Sequence, residues 1–119
     1  MMINVKGGKK FERNIAEKTI AWCIKRLEMS RIRTLEIYVS IESVPDDCYG
    51  YCENRDKINR SFKIALTNKQ NLRYFVMTLV HEMIHVKQYV RNSWFGDGEP
   101  EAYDLQEELT DEIWKENIL

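Results

Sequence analysis

The sequence lacks most of the features that would place a protein at a glance. Charge of neither sign dominates: 18 Lys and Arg stand against 19 Asp and Glu, a net charge of -1 with both signs dispersed. That removes the basic footprint by which nucleic-acid binders are read. No window approaches the roughly 18 uninterrupted apolar residues of a membrane span. The opening MMINVKGGKKFERN has no apolar h-region of a secretory signal, which points to the cytoplasm. Three cysteines, Cys23, Cys48 and Cys52, are an odd count with no export signal, which argues against a disulfide framework. Repeats and low-complexity tracts are absent. Histidine is scarcest of the chemically useful residues, with two in 119 positions, His81 and His85.

What is present is enough apolar residue, 44%, for one core and one domain spanning 1–119. Met1 to Lys10, broken by Gly7-Gly8, reads as a short, loosely packed arm. From Phe11 to Met29 the apolar positions Ala16, Ile20, Cys23, Ile24 and Leu27 recur at helical spacing, which predicts an amphipathic helix. Thr34 to Glu42 switches to period 2, with Leu35, Ile37, Val39 and Ile41 on one face, and is the clearest strand. After the turn Pro45-Asp46-Asp47, Tyr49 to Glu53 fits a second strand and Ser61 to Leu66 a third. Thr67 and Gln70 fit a capping box for a helix running to about Arg91. That helix is apolar on most of its circumference, and its one polar stripe is Thr78, His81, Glu82, His85 and Gln88, bordered by Tyr89. A loop with Gly96, Gly98, Trp94 and Phe95 follows; its aromatic pair is expected to pack on the core. Pro100 then suits the first turn of a last helix. The expected class is α+β, a helix, three short strands and two helices.

Both histidines fall in His81-Glu82-Met83-Ile84-His85. Residues i and i+4 share a helix face, so the two imidazoles can reach one zinc ion. Glu82, offset by one residue, lies near such a metal without binding it, the position of a general base. Two histidines do not complete a catalytic zinc site, which takes three protein ligands and keeps one position open. Cys48, Cys52, Glu99, Glu101 and Asp104 are the candidates. Glu101 is preferred, because it follows the Gly-containing loop and sits in the first turn of the next helix; Glu99 is the alternative. Cys48 and Cys52 lack the usual metal-pair spacing and read as ordinary strand and turn residues.

HEMIHVKQY followed by EPEAYDLQ resembles the glutamate-ligand zincin metallopeptidases, the gluzincins, in a minimal form similar to minigluzincins and small phage or microbial zincin-like proteins. The likeness covers about Thr34 to Glu108, and its specific parts are HEMIH and Glu101-Ala102. It implies a minimal zincin-like fold: a backing helix, a small three-stranded twisted sheet, the HExxH helix and a C-terminal glutamate helix. It also implies Zn²⁺ held by His81, His85 and Glu101, hydrolysis of a peptide or protein substrate with Glu82 as base, and substrate added as a strand beside Tyr49 to Glu53. Asp104, closer to Glu101 than the family's histidine-orienting aspartate would be, is a possible partner of His81, with Glu108 as substitute. No separate subdomain supplies a transition-state donor, and Tyr89, Arg91 and Tyr103 are the residues at hand. A zincin-fold binding or regulatory protein with a structural metal is the alternative. A role like that of SprT-like proteins on DNA-bound protein ranks last, since those take a third histidine.

Overall fold

The structure is a computed structural model, and it describes residues 1–42, 49–94 and 96–119. Along the chain run β1 (Met2–Gly7), α1 (Lys10–Arg26), β2 (Glu36–Glu42), β3 (Gly50–Asn54), β4 (Ser61–Thr67), α2 (Leu72–Arg91) and α3 (Glu99–Glu116). Three helices and a four-stranded mixed sheet make an α+β fold. The sheet order is β1-β2-β4-β3, with β1, β2 and β4 parallel and β3 antiparallel at one end. No helix of the described residues is long and apolar enough to cross a membrane.

The alternation in β2 does what period 2 demands: Ile37, Val39 and Ile41 are buried while Glu36, Tyr38 and Ser40 between them are not. The same side of β4 presents Phe62, Ile64 and Leu66, fully buried. Onto this face come Ala16, Ile20, Cys23 and Ile24 of α1 and Phe75, Leu79, Val80, Met83 and Ile84 of α2, forming one apolar cluster. At roughly 1.5–3 kcal/mol per fully buried aliphatic or aromatic side chain, this cluster is the main favourable term in folding.

The first ten residues correct the sequence reading. They are expected as a loose arm, yet Met2 to Gly7 pairs in register with Glu36 to Ile41, so the sheet has four strands rather than three. Two apolar residues, Ile3 and Val5, are too few to show an alternation, but both pack against the core once β2 supplies the ladder. Gly7 has φ +83, and a Cβ there would lie 2.3 Å from the Ile41 carbonyl oxygen. The turn beyond it is held by the Arg13 guanidinium, which donates to the Gly7 and Gly8 carbonyls at 3.0 and 2.7 Å.

Two helix ends differ as well. The first helix stops at Arg26, because Glu28 turns to φ +60; the buried Leu27 and Met29 ride on the turn instead. Thr67 does not cap α2. It closes β4 opposite Glu42, and Gln70 donates to its carbonyl, which ties a turn. The cap is Asn71, whose side chain accepts from the Tyr74 N–H at 2.9 Å. The expected turn Pro45-Asp46-Asp47, together with Cys48 and Phe95, lies outside the described residues. After Glu116 the tail folds back, with Ile118 and Leu119 half-buried against the core.

Gly7→Ala forces a left-handed residue with a side chain against the β2 backbone. It is expected to cost about 1–3 kcal/mol, read as a lowered urea midpoint; an unchanged midpoint would mean that β1 does not close on Ile41.

Candidate metal centre

Helix α2 is buried on its sheet side by necessity, which leaves one narrow polar face. Thr78, His81, Glu82 and His85 of that face, with Tyr89, line a cavity of about 750 Å³ whose far wall is β3 (Gly50, Tyr51, Cys52) and whose mouth is framed by the start of α3. Gly50 allows β3 to come this close: a Cβ there would lie 2.9 Å from the Thr78 methyl.

The imidazole Nε2 atoms face one carboxylate. His85 Nε2 lies 2.6 Å from Glu99 Oε1 and His81 Nε2 lies 3.2 Å from Glu99 Oε2. The rings themselves meet edge to face at 4.9 Å between centroids. On the opposite side of each ring a carboxamide oxygen accepts from Nδ1: Gln106 Oε1 at 2.7 Å for His81 and Gln88 Oε1 at 2.8 Å for His85. An amide oxygen accepts only, so the ring proton sits on Nδ1 and the Nε2 lone pairs point toward Glu99. Two lone pairs and a carboxylate converging on one spot offer three donor atoms to a single metal ion. The ligand atoms of His81, His85 and Glu99 lie within 4.8 Å of one another, and two imidazoles with a carboxylate are the donor set of a His2Glu zinc site. The residues present therefore fit a divalent metal.

The carboxylate brought to the histidines is Glu99, where the sequence reading favours Glu101. Helix α3 begins at Glu99, directly after Gly98 in the left-handed region, and the face it turns to α2 carries Glu99, Tyr103 and Gln106 at spacings of four and three. Glu101 falls off that face; its Oε1 accepts from Gln88 Nε2 at 2.9 Å. It remains beside the centre as a support for the side chain that holds His85. Asp104 and Glu108 are exposed, and the partner expected of them at His81 is Gln106. Gln106 is absent from the sequence reading, although the i, i+4, i+7 series from Glu99 would have found it. Trp94 is exposed at the cavity mouth instead of packing in the core. Cys52 lines the cavity half-buried, and burial first, then Glu82 and Glu53, raises its thiol far above the ordinary cysteine range.

Glu82 shares the cavity without joining the three donors. Its pKa is raised from 4.5 to about 7, chiefly because burial disfavours the charged form; the neighbouring His85 pulls it down and Glu99 pushes it up. A carboxylate poised near neutrality can both take and return a proton at physiological pH.

No protein-family model, curated protein or solved structure matches the chain.

Because folding raises the Glu82 pKa, the native state holds that proton more tightly than the unfolded chain. The stability this supplies is complete below pH 4.5 and is lost as pH rises through about 7. Metal-free wild type should thus lose on the order of 1–3 kcal/mol relative to metal-free Glu82→Gln across that window, measured by urea unfolding at stepped pH. Parallel curves for the two proteins would contradict the assignment.

Proposed function

We propose that this chain is a zinc-dependent metallopeptidase of the gluzincin type. The observation that carries the reading is the convergence of His81, His85 and Glu99 in a cavity that Glu82 also lines, beside the terminal antiparallel strand β3. Its α+β frame, with a backing helix and a mixed sheet, supports the resemblance visible in HEMIH.

His81, His85 and Glu99 would hold the ion. Bound zinc supplies Lewis acidity, polarising a peptide carbonyl and acidifying water. Strand β3 offers its backbone to an extended peptide laid across the cavity. Glu82 removes a proton from the water that attacks the carbonyl carbon and delivers it to the departing amine. Gln106 and Gln88 hold the histidine Nδ1 atoms, which leaves the Nε2 lone pairs free for the ion they would bind.

The developing oxyanion needs a donor, and the three residues considered for it separate in the structure. Arg91 is turned away, its guanidinium donating to the Glu28 carbonyl at 2.8 Å. Tyr89 is packed between Phe62 and Trp94, with ring centroids at 5.8 and 5.5 Å. Tyr103 stands exposed at the cavity mouth with its ring 4.8 Å from that of His81, one helical turn beyond Glu99. It is the phenol with freedom to donate to a bound carbonyl.

Metal analysis after incubation with zinc should find about one ion per chain in wild type, Glu82→Gln and Glu101→Gln, and little in Glu99→Ala. Glu82→Gln should lose roughly 10²- to 10⁴-fold in hydrolysis of a peptide library. A wild type that takes up no divalent ion sinks the proposal, and a zinc-loaded protein that cleaves nothing makes it a binding protein instead.

Tyr103→Phe should lower kcat by roughly 10²-fold while KM moves little. An unchanged kcat would remove Tyr103 from the reaction.

A further inference from the structure

The cavity wall is chemically lopsided. Five of the chain's six tyrosines line it, Tyr49, Tyr51, Tyr74, Tyr89 and Tyr103, together with Trp94. All of these but Tyr89 are exposed large aromatics, so the rings crowd the opening rather than serve the core. A soluble chain that concentrates exposed aromatic surface at one opening is presenting a binding surface. The charged residues among those described at the wall, apart from the histidines, are all carboxylates: Glu82, Asp97 and Glu99. The chain has 18 Lys and Arg, and none is among the described residues of the wall.

Asp97 is the carboxylate that the proposed chemistry leaves over. Glu99 faces the two imidazoles, and Glu82 is the buried base. Asp97 instead accepts the Glu99 backbone N–H at 3.0 Å through Oδ1, which fixes its carboxylate at the first turn of α3, beside the centre. A wall that carries both an exposed, fixed anion and exposed aromatic rings attracts a cation twice, by charge and through the negative faces of the rings. An acidic side chain set against Asp97, outside the three metal-facing donors, would meet like charge and find no described basic residue at the wall. Aromatic and aliphatic side chains would gain from the rings alone.

Building on the peptidase reading, we infer that the cavity selects peptides carrying a Lys or Arg side chain next to the bond presented to the centre, and turns acidic peptides away. The selection belongs to the wall and is independent of turnover, so it is measurable without cleavage.

The test uses zinc-loaded Glu82→Gln protein and fluorescein-labelled peptides of one sequence that differ at a single position: Lys, Arg, Phe, Leu, Asp or Glu. Fluorescence anisotropy should rank Lys and Arg at least about tenfold tighter than Asp and Glu, with Phe and Leu between. The gap should narrow as salt is raised and also in the Asp97→Lys variant, while far-UV circular dichroism reports that this variant is folded. Phe binding tightest with no salt dependence, or Asp97→Lys leaving the order untouched, would overturn the inference. Wild-type zinc protein incubated with the same set separates the two claims. The predicted binding order without cleavage defeats the peptidase reading and keeps this one, whereas cleavage with no preference among the six does the reverse.

Discussion

A polar side chain withdrawn from water has to be met by a partner, and around α2 that requirement shapes everything nearby. Gln88 is the clearest case, at 4% exposure. Its amide nitrogen donates to the Gly98 carbonyl and to Glu101, and its oxygen accepts from His85. Both amide hydrogens are spent on oxygens that can only accept, so the amide cannot be reversed without facing oxygen with oxygen. One side chain thereby sets the protonation site of a histidine and anchors the turn that delivers Glu99. Gln106 does the corresponding work from the other helix, donated to by His81. The centre is best regarded as two helices cross-wired by carboxamides, with the carboxylate and the imidazoles as the ends of the wires.

The electrostatic consequences follow from burial more than from formal charge. Glu82 and Cys52 share one cavity, and removal from water pushes both toward their neutral forms. For the carboxyl this lands near neutrality, where a proton can go either way; for the thiol it lands far above, where the sulfur stays protonated. The same wall therefore brings one group close to neutrality and keeps the other protonated.

How much of this could be read from the residues depends on the range of the signal. The β2 alternation, the apolar girth of α2 and the histidine pair are local and periodic, so they are legible within a single element. The first strand was not, because Ile3 and Val5 acquire meaning only opposite Ile37 and Val39, some thirty residues away. That Glu99 faces the histidines, where the sequence favours Glu101, has a different reason. Glu99 and Glu101 have the same chemistry, two positions apart, and the choice rests on where the helix starts, a boundary set by Gly98 and the Asp97 side chain rather than by any hydrophobic pattern. Once that start is known, Tyr103 and Gln106 follow by periodicity. The cavity wall is legible only in three dimensions, since its tyrosines come from β3, α2 and α3 and the turns beside them.

Gly98 shows what such an arrangement means for the freedom of the sequence to change. Its φ is +85, and a Cβ would stand 2.4 Å from Gln88 Oε1. The two positions are ten residues apart in the chain yet form one packing unit: a side chain at 98 expels the amide at 88, and losing the amide leaves the carbonyl at 98 with only the longer bond from the Ala102 N–H at 3.3 Å. A change at either site alone therefore loosens the turn that delivers Glu99, and the backbone of that turn is as constrained as the side chains it positions.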